Sequence, residues 1–284
     1  MAVFTDFFYT VEDGLILYAR DYAGPGVDAP VVLCMHGLSR NSRDFEPIAP
    51  MLAMTHRVVV VEQRGRGRSE YDDNSDHYVP QTYVADMFAL LSQLDISRCA
   101  TVGTSMGGLM AMAMSALAPN LFSHVVINDI GPDIAPEGLA RIKQYVGMAS
   151  AFDSWDDAIA HTKTVNGDAF PDYSDEQWRD FAGRICTERG GKVCLDYDTT
   201  ISEPMKRDDG AAVPSELWSL FDSFASTPVL LVRGELSDIL APDCVTEMQR
   251  RIPSMRTLTV PRVGHAPVLN EPGVAEAICA FINR

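Results

Sequence analysis

The chain has 284 residues, 46% of them hydrophobic and 22% charged, which suits one large α/β domain or two small ones and excludes a largely disordered chain. Its formal net charge of −16 gives a surface that repels phosphate backbones and anionic membranes, so neither nucleic acid nor a membrane is expected as a partner. No run approaches the roughly 18 apolar residues of a membrane span, residues 1–6 lack the features of a secretory leader, and a cytoplasmic location is expected.

In chain order, Phe4–Thr10 and 15–21 read as two strands joined by Glu12-Asp13-Gly14, a hairpin turn signal. Continuous apolar runs follow at Val31–Met35, 57–61, 98–102, 124–127, 228–232 and 257–260. Runs without alternation are what strands covered on both faces look like, so a mainly parallel sheet is predicted. Helical patterns lie between them at 44–54, 78–94, 106–118, 244–251 and 273–282. This alternation predicts a doubly wound α/β core over residues 1–130 and 225–284. The rhythm breaks between 131 and 224, where 138–151, 154–164, 174–187 and 214–224 read as helices rich in aromatics. That stretch is predicted to be a helical cap inserted into the core. The six cysteines are scattered, without a CxxC pair or zinc-ligand spacing.

The most informative local feature is Gly103-Thr104-Ser105-Met106-Gly107, placed directly after one apolar run and directly before a helical pattern. In that context G-x-S-x-G marks a nucleophile elbow, a strained strand-to-helix turn that projects a serine above the sheet edge. A serine needs a base. His265, in the loop Val263-Gly264-His265-Ala266-Pro267 before the last helix, is best placed, whereas His36 at a strand end is expected to organise its loop. The base in turn needs a carboxylate to fix its tautomer. Asp238, in the loop after 228–232, completes the chain order serine, acid, histidine; Asp129, at the end of the preceding strand, is the alternative. Glu235 stands nearer the strand and is expected to fall short. Backbone donors for a carbonyl oxygen are expected from Met106 and from the loop after His36, with Leu38 the best candidate. Ser39 and Arg40 stand close enough to touch substrate and have equal claim as plain loop residues.

With these residues in view, the sequence resembles the α/β-hydrolase superfamily, in particular its lid-bearing members, which include carboxylesterases, lactonases and carbon–carbon bond hydrolases. The matching pieces are His36-Gly37, Gln63-Arg64-Gly65-Arg66-Gly67-Arg68-Ser69, the segment from Gly103 to Gly107, Gly234 with Asp238, and Gly264-His265. The resemblance implies an α/β-hydrolase fold, a triad of Ser105, Asp238 and His265, and oxyanion donors at Leu38 and Met106. It also implies a chiefly structural role for the loop from Arg64 to Ser69. Serine at 105 counts against the epoxide hydrolases and haloalkane dehalogenases of similar shape, which use aspartate. The loop after His36 lacks the Gly-rich run of lipases with a large oxyanion loop and the Gly-Pro-Gly sequence common in ring-cleavage-product hydrolases.

The expected activity is hydrolysis of a small or medium uncharged ester through an acyl-enzyme, with a small-molecule ester as the partner. Lactone or carbon–carbon bond hydrolysis by the same triad is a second reading. A ligand-binding receptor that keeps the fold but turns over little is a third. No metal or organic cofactor is expected, because side chains and water suffice for every step.

Overall fold

The computed structural model describes residues 3–148, 151–207 and 216–284. The predicted hairpin opens the chain, with β1 (Phe4–Thr10) antiparallel to β2 (Ile16–Tyr22). The valine- and leucine-rich runs become β3 (Val31–Met35), β4 (Arg57–Glu62), β5 (Cys99–Thr104) and β6 (Phe122–Asn128). Three short strands follow in the inserted segment: β7 (Ala151–Phe152), β8 (Cys186–Arg189) and β9 (Lys192–Leu195). The core resumes with β10 (Val229–Gly234) and β11 (Arg256–Val260). The main sheet has the order β1-β2-β4-β3-β5-β6-β10-β11 and is parallel from β4 to β11.

Successive side chains of a strand face opposite ways, and both faces here are covered. Leu33, Val59 and Val61 enter one apolar cluster, while Val32, Cys34, Val58 and Val60 enter the other. All seven are essentially inaccessible. Truncating one of the larger, such as Leu33→Ala, is expected to cost about 2–5 kcal/mol. The helices are α1 (Ala49–Leu52), α2 (Pro80–Gln93) and α3 (Met106–Leu117), then α4 (Pro136–Tyr145), α5 (Trp155–Asn166), α6 (Asp175–Ile185) and α7 (Glu203–Arg207) in the insert, and finally α8 (Glu216–Asp222), α9 (Pro242–Arg251) and α10 (Val274–Ile282). Among the described residues no helix is long and apolar enough to cross a membrane.

Three local expectations are corrected. The pattern at 44–54 is not one helix: a 3-10 turn at Ser42–Phe45 precedes the single turn of α1. Pro47 and Pro50 explain the break, since proline lacks an amide donor and restrains the residue before it. The insert is not purely helical, because β7, β9 and β8 form a small antiparallel sheet. Its hairpin turns at Gly190-Gly191, both at positive φ (58° and 77°), a two-residue signal that the helical periodicity upstream obscured. The chain is also back on the core before residue 224. Phe221 of α8 and Phe224 after it are fully buried in the cluster that contains α3. Parts of the predicted helices 138–151 and 214–224, at 149–150 and 214–215, lie outside the described residues.

Candidate active site

Ser105 sits between β5 and α3 with φ 51° and ψ −115°, a backbone conformation unusual for a residue with a side chain. The turn is tight enough to need its glycines. A Cβ on Gly103 would lie 2.5 Å from the Gly107 carbonyl oxygen, and one on Gly107 would lie 2.2 Å from the Met35 carbonyl oxygen. The Ser105 amide donates to Asn128 O at 2.9 Å, pinning the elbow to the neighbouring strand.

His265 reaches the same place from the loop between β11 and α10. Its Nε2 lies 2.9 Å from Ser105 Oγ. That loop is held on several sides: Gly264 N donates to Ala169 O at 2.6 Å, Asn128 Nδ2 to Pro267 O at 2.8 Å, and Val268 N to Glu271 Oε1 at 2.8 Å.

The carboxylate against His265 is Asp129, not Asp238. His265 Nδ1 lies 2.9 Å from Asp129 Oδ2, and the two side chains are 8% and 0% exposed. Asp129 follows β6 at φ 58°, and its carboxylate crosses to the end of β10. There Oδ1 accepts from Gly234 N at 2.8 Å and Oδ2 from Ser237 Oγ at 2.7 Å. Asp238, the next residue of the same loop, faces the insert. It forms a bidentate pair with Arg141 of α4, at 2.5 and 2.9 Å. Burial works against its charge, but Arg141 outweighs burial and lowers its pKa. The expectation of Asp238 as orienting acid is therefore corrected in favour of the alternative. Adjacent loop residues point apart, and it is Ser237 that turns inward. Glu235 is also engaged elsewhere, accepting from Arg262 N at 2.8 Å.

The residues that sequence reasoning passed over are Asn128 and Ser237. Asn128 is fully buried and bridges Thr104 Oγ1 (3.1 Å) and the histidine loop. Its position, last in an apolar run and next to an acid, was a usable signal. Ser237 carried none that is local.

His36 acts as a structural element. Its Nε2 accepts from Gln63 N at 3.0 Å, so Nδ1 carries the proton and donates to Gly37 O at 2.7 Å. Complete burial lowers its pKa to about 4, which keeps the ring neutral. The loop that it braces presents Leu38. The amides of Leu38 and Met106 form no hydrogen bond among the described residues. For Met106 this is what the first turn of a helix leaves over. Arg64 is likewise architectural, donating to Asp86 from Nε and Nη2 and to Asp13 and Asp72 from Nη1.

Above Ser105 and His265 lies a cavity of about 110 Å³. Leu38, Ser39, Arg40 and Asp44 line one side. The insert supplies Ile142, Tyr145, Val146, His161, Val165, Phe170, Phe181, Ile185, Leu195 and Tyr197. Only some of the insert's aromatics serve the cavity. Trp178 is buried among Phe170, Tyr173 and Phe181 as the insert's own core, and Trp218 lies under Arg251.

The strand order, the elbow and the serine–histidine contact define a protein of α/β-hydrolase architecture. A model of the alpha/beta hydrolase family matches residues 31–277, and the chain belongs to that family, an enzyme of the hydrolase class. The chain is 34% identical over 266 residues to a 3-hydroxybutyrate-oligomer hydrolase of Cupriavidus necator, covering 91% of this chain and 90% of that protein. It is 27% identical over 256 residues to a 2-(acetamidomethylene)succinate hydrolase of Mesorhizobium japonicum, covering 89% and 88%. The crystal structure of an alpha/beta hydrolase from Novosphingobium aromaticivorans superposes with a TM-score of 0.94 at 42% identity, covering 100% of this chain and 99% of that one.

Proposed function

We propose that the chain is a serine hydrolase that cleaves short carboxylic esters through an acyl-enzyme. The observation that carries this reading is the unbroken line of hydrogen bonds from Ser105 Oγ through His265 to Asp129, each contact 2.9 Å. Ser105 attacks the acyl carbonyl while His265 Nε2 takes the hydroxyl proton and Asp129 stabilises the imidazolium. The amides of Leu38 and Met106 receive the oxyanion. His265 returns the proton to the leaving alcohol, and water then releases the acyl group by the same route. The insert acts as a cap whose mostly apolar wall, interrupted by His161, Thr162 and Asn166, limits water at the reacting carbonyl. A cavity of about 110 Å³ favours short acyl groups. Together with the hydrolase named for 3-hydroxybutyrate oligomers among the relatives, this favours esters of short hydroxy acids.

The test is hydrolysis of p-nitrophenyl butyrate beside labelling by a fluorophosphonate probe. The parent is expected to do both. Ser105→Ala is expected to lose more than a thousandfold in kcat and all labelling, with an unchanged circular dichroism spectrum. A Ser105→Ala protein within tenfold of the parent would remove the mechanism.

A further inference from the structure

We propose that Arg40 anchors a carboxylate carried by the ester substrate close to the scissile bond, an inference that rests on the esterase reading above. Arg40 lines the cavity together with Ser105 and His265, and no other lysine or arginine does so among the described residues. It stands beside the nucleophile: a point 1 Cβ bond out from Gly37 lies 3.4 Å from Arg40 Cγ and 3.6 Å from Ser105 Cβ. Its guanidinium is fixed before any ligand arrives. Nε and Nη2 donate to Asp44 at 2.8 and 2.6 Å, and the plane lies over the Phe181 ring with 4.4 Å to the centroid.

That arrangement occupies one edge of the fork. Nη1 has no hydrogen-bond partner among the described residues, so its two N–H groups are available. Asp44 balances the cation, which lets the arginine sit in a mostly apolar pocket without a second counter-ion. A carboxylate that docks on Nη1 meets a preorganised donor on the side away from Asp44. Arg141 of the insert has its own carboxylate in Asp238 and does not line the cavity. An ester of a short hydroxy acid suits this geometry, because its free carboxylate lies only a few bonds from the ester oxygen. The preference is therefore for an anionic ester, where the sequence led to an expectation of an uncharged one.

The experiment compares kcat/KM for the linear dimer of 3-hydroxybutyrate with that for the same dimer capped as its terminal amide, following the internal ester by chromatography. The parent is expected to favour the free acid. In the double variant Arg40→Gln with Asp44→Asn, which keeps a hydrogen-bonded pair in place, the acid-to-amide ratio is expected to fall about tenfold or more. Losses common to both substrates cancel in the ratio. Arg40→Lys, which keeps the charge and suits a fold that rejects the double change, is expected to fall in between. A fall of less than threefold in the folded variants overturns the anchor. A parent that cleaves p-nitrophenyl butyrate but does not prefer the acid dimer also overturns it, while leaving the esterase reading intact. A parent inert toward every ester and toward the fluorophosphonate removes that reading and the anchor with it.

Discussion

Two neighbouring loops, one after β6 and one after β10, each offer an aspartate within reach of the same sheet edge, yet they are put to opposite uses. Asp129 leaves β6 with a positive φ and is sealed from solvent. Its two oxygens receive Gly234 N, Ser237 Oγ and His265 Nδ1. Asp238 is about a third exposed, and its partner is an arginine of the insert. One carboxylate is fixed from three directions and aimed at an imidazole. The other ties α4 to the core, assisted by Ala135 N donating to Ile239 O at 2.9 Å. A carboxylate orients a base when its remaining lone pairs are already satisfied, and nearness in the chain to an expected position does not supply that. The β10 loop still serves the site, but through Ser237, which braces the acid that β6 provides.

Asparagine substitutions can break this comparison, and the largest effect belongs to Asp129. Asp129→Asn presents an amide where an acceptor is needed and is expected to reduce kcat on p-nitrophenyl butyrate by about 10³- to 10⁴-fold, the scale of wrong-tautomer variants in serine triads. Steady-state rates would reveal an error if the loss were under tenfold. Ser237→Ala is expected to fall next, at about tenfold in kcat with KM nearly unchanged, because Asp129 keeps two of its three donors. An effect as large as that of Asp129→Asn would mean that the β10 loop does more than brace.

The smallest effect is expected from Asp238→Asn, at no more than threefold in kcat. Arg141 holds the Asp238 pKa below its ordinary value of 3.8. A depressed carboxylate pKa contributes stability that is present above the unfolded value and is lost as pH falls through the folded one. The Asp238–Arg141 pair is therefore intact throughout pH 5–9 and adds no inflection there. The pH–rate profile of Asp238→Asn is expected to overlay that of the parent across this window. A displaced acid limb in that profile would return Asp238 to the reacting groups.

A good deal of this was legible in the residues alone. The apolar runs at Val31–Met35 and 57–61 read as doubly covered strands, since a half-exposed strand alternates. The elbow was legible because its requirement is local: a strand, two glycines that a Cβ would drive into backbone, and a helix. Position in the chain also singled out one histidine of six, and the structure brings that histidine to Ser105. Less legible were the prolines at 47 and 50, whose effect on 44–54 was outweighed by hydrophobic spacing, and the small sheet of the insert, whose strands are short and partly exposed.

Sequence by itself thus determined the parallel sheet and the strained serine, because each follows from periodicity or from steric rules that act over a few residues, and chain position pointed to the histidine that meets that serine. Tertiary structure decided which acid meets that histidine, which serine braces the acid and which arginine faces the cavity. Those choices depend on where side chains of consecutive loop residues point, and that is fixed by partners on other strands and on the insert: Gly234 for Asp129, Arg141 for Asp238 and Phe181 for Arg40. No local pattern encodes a partner that lies a hundred residues away.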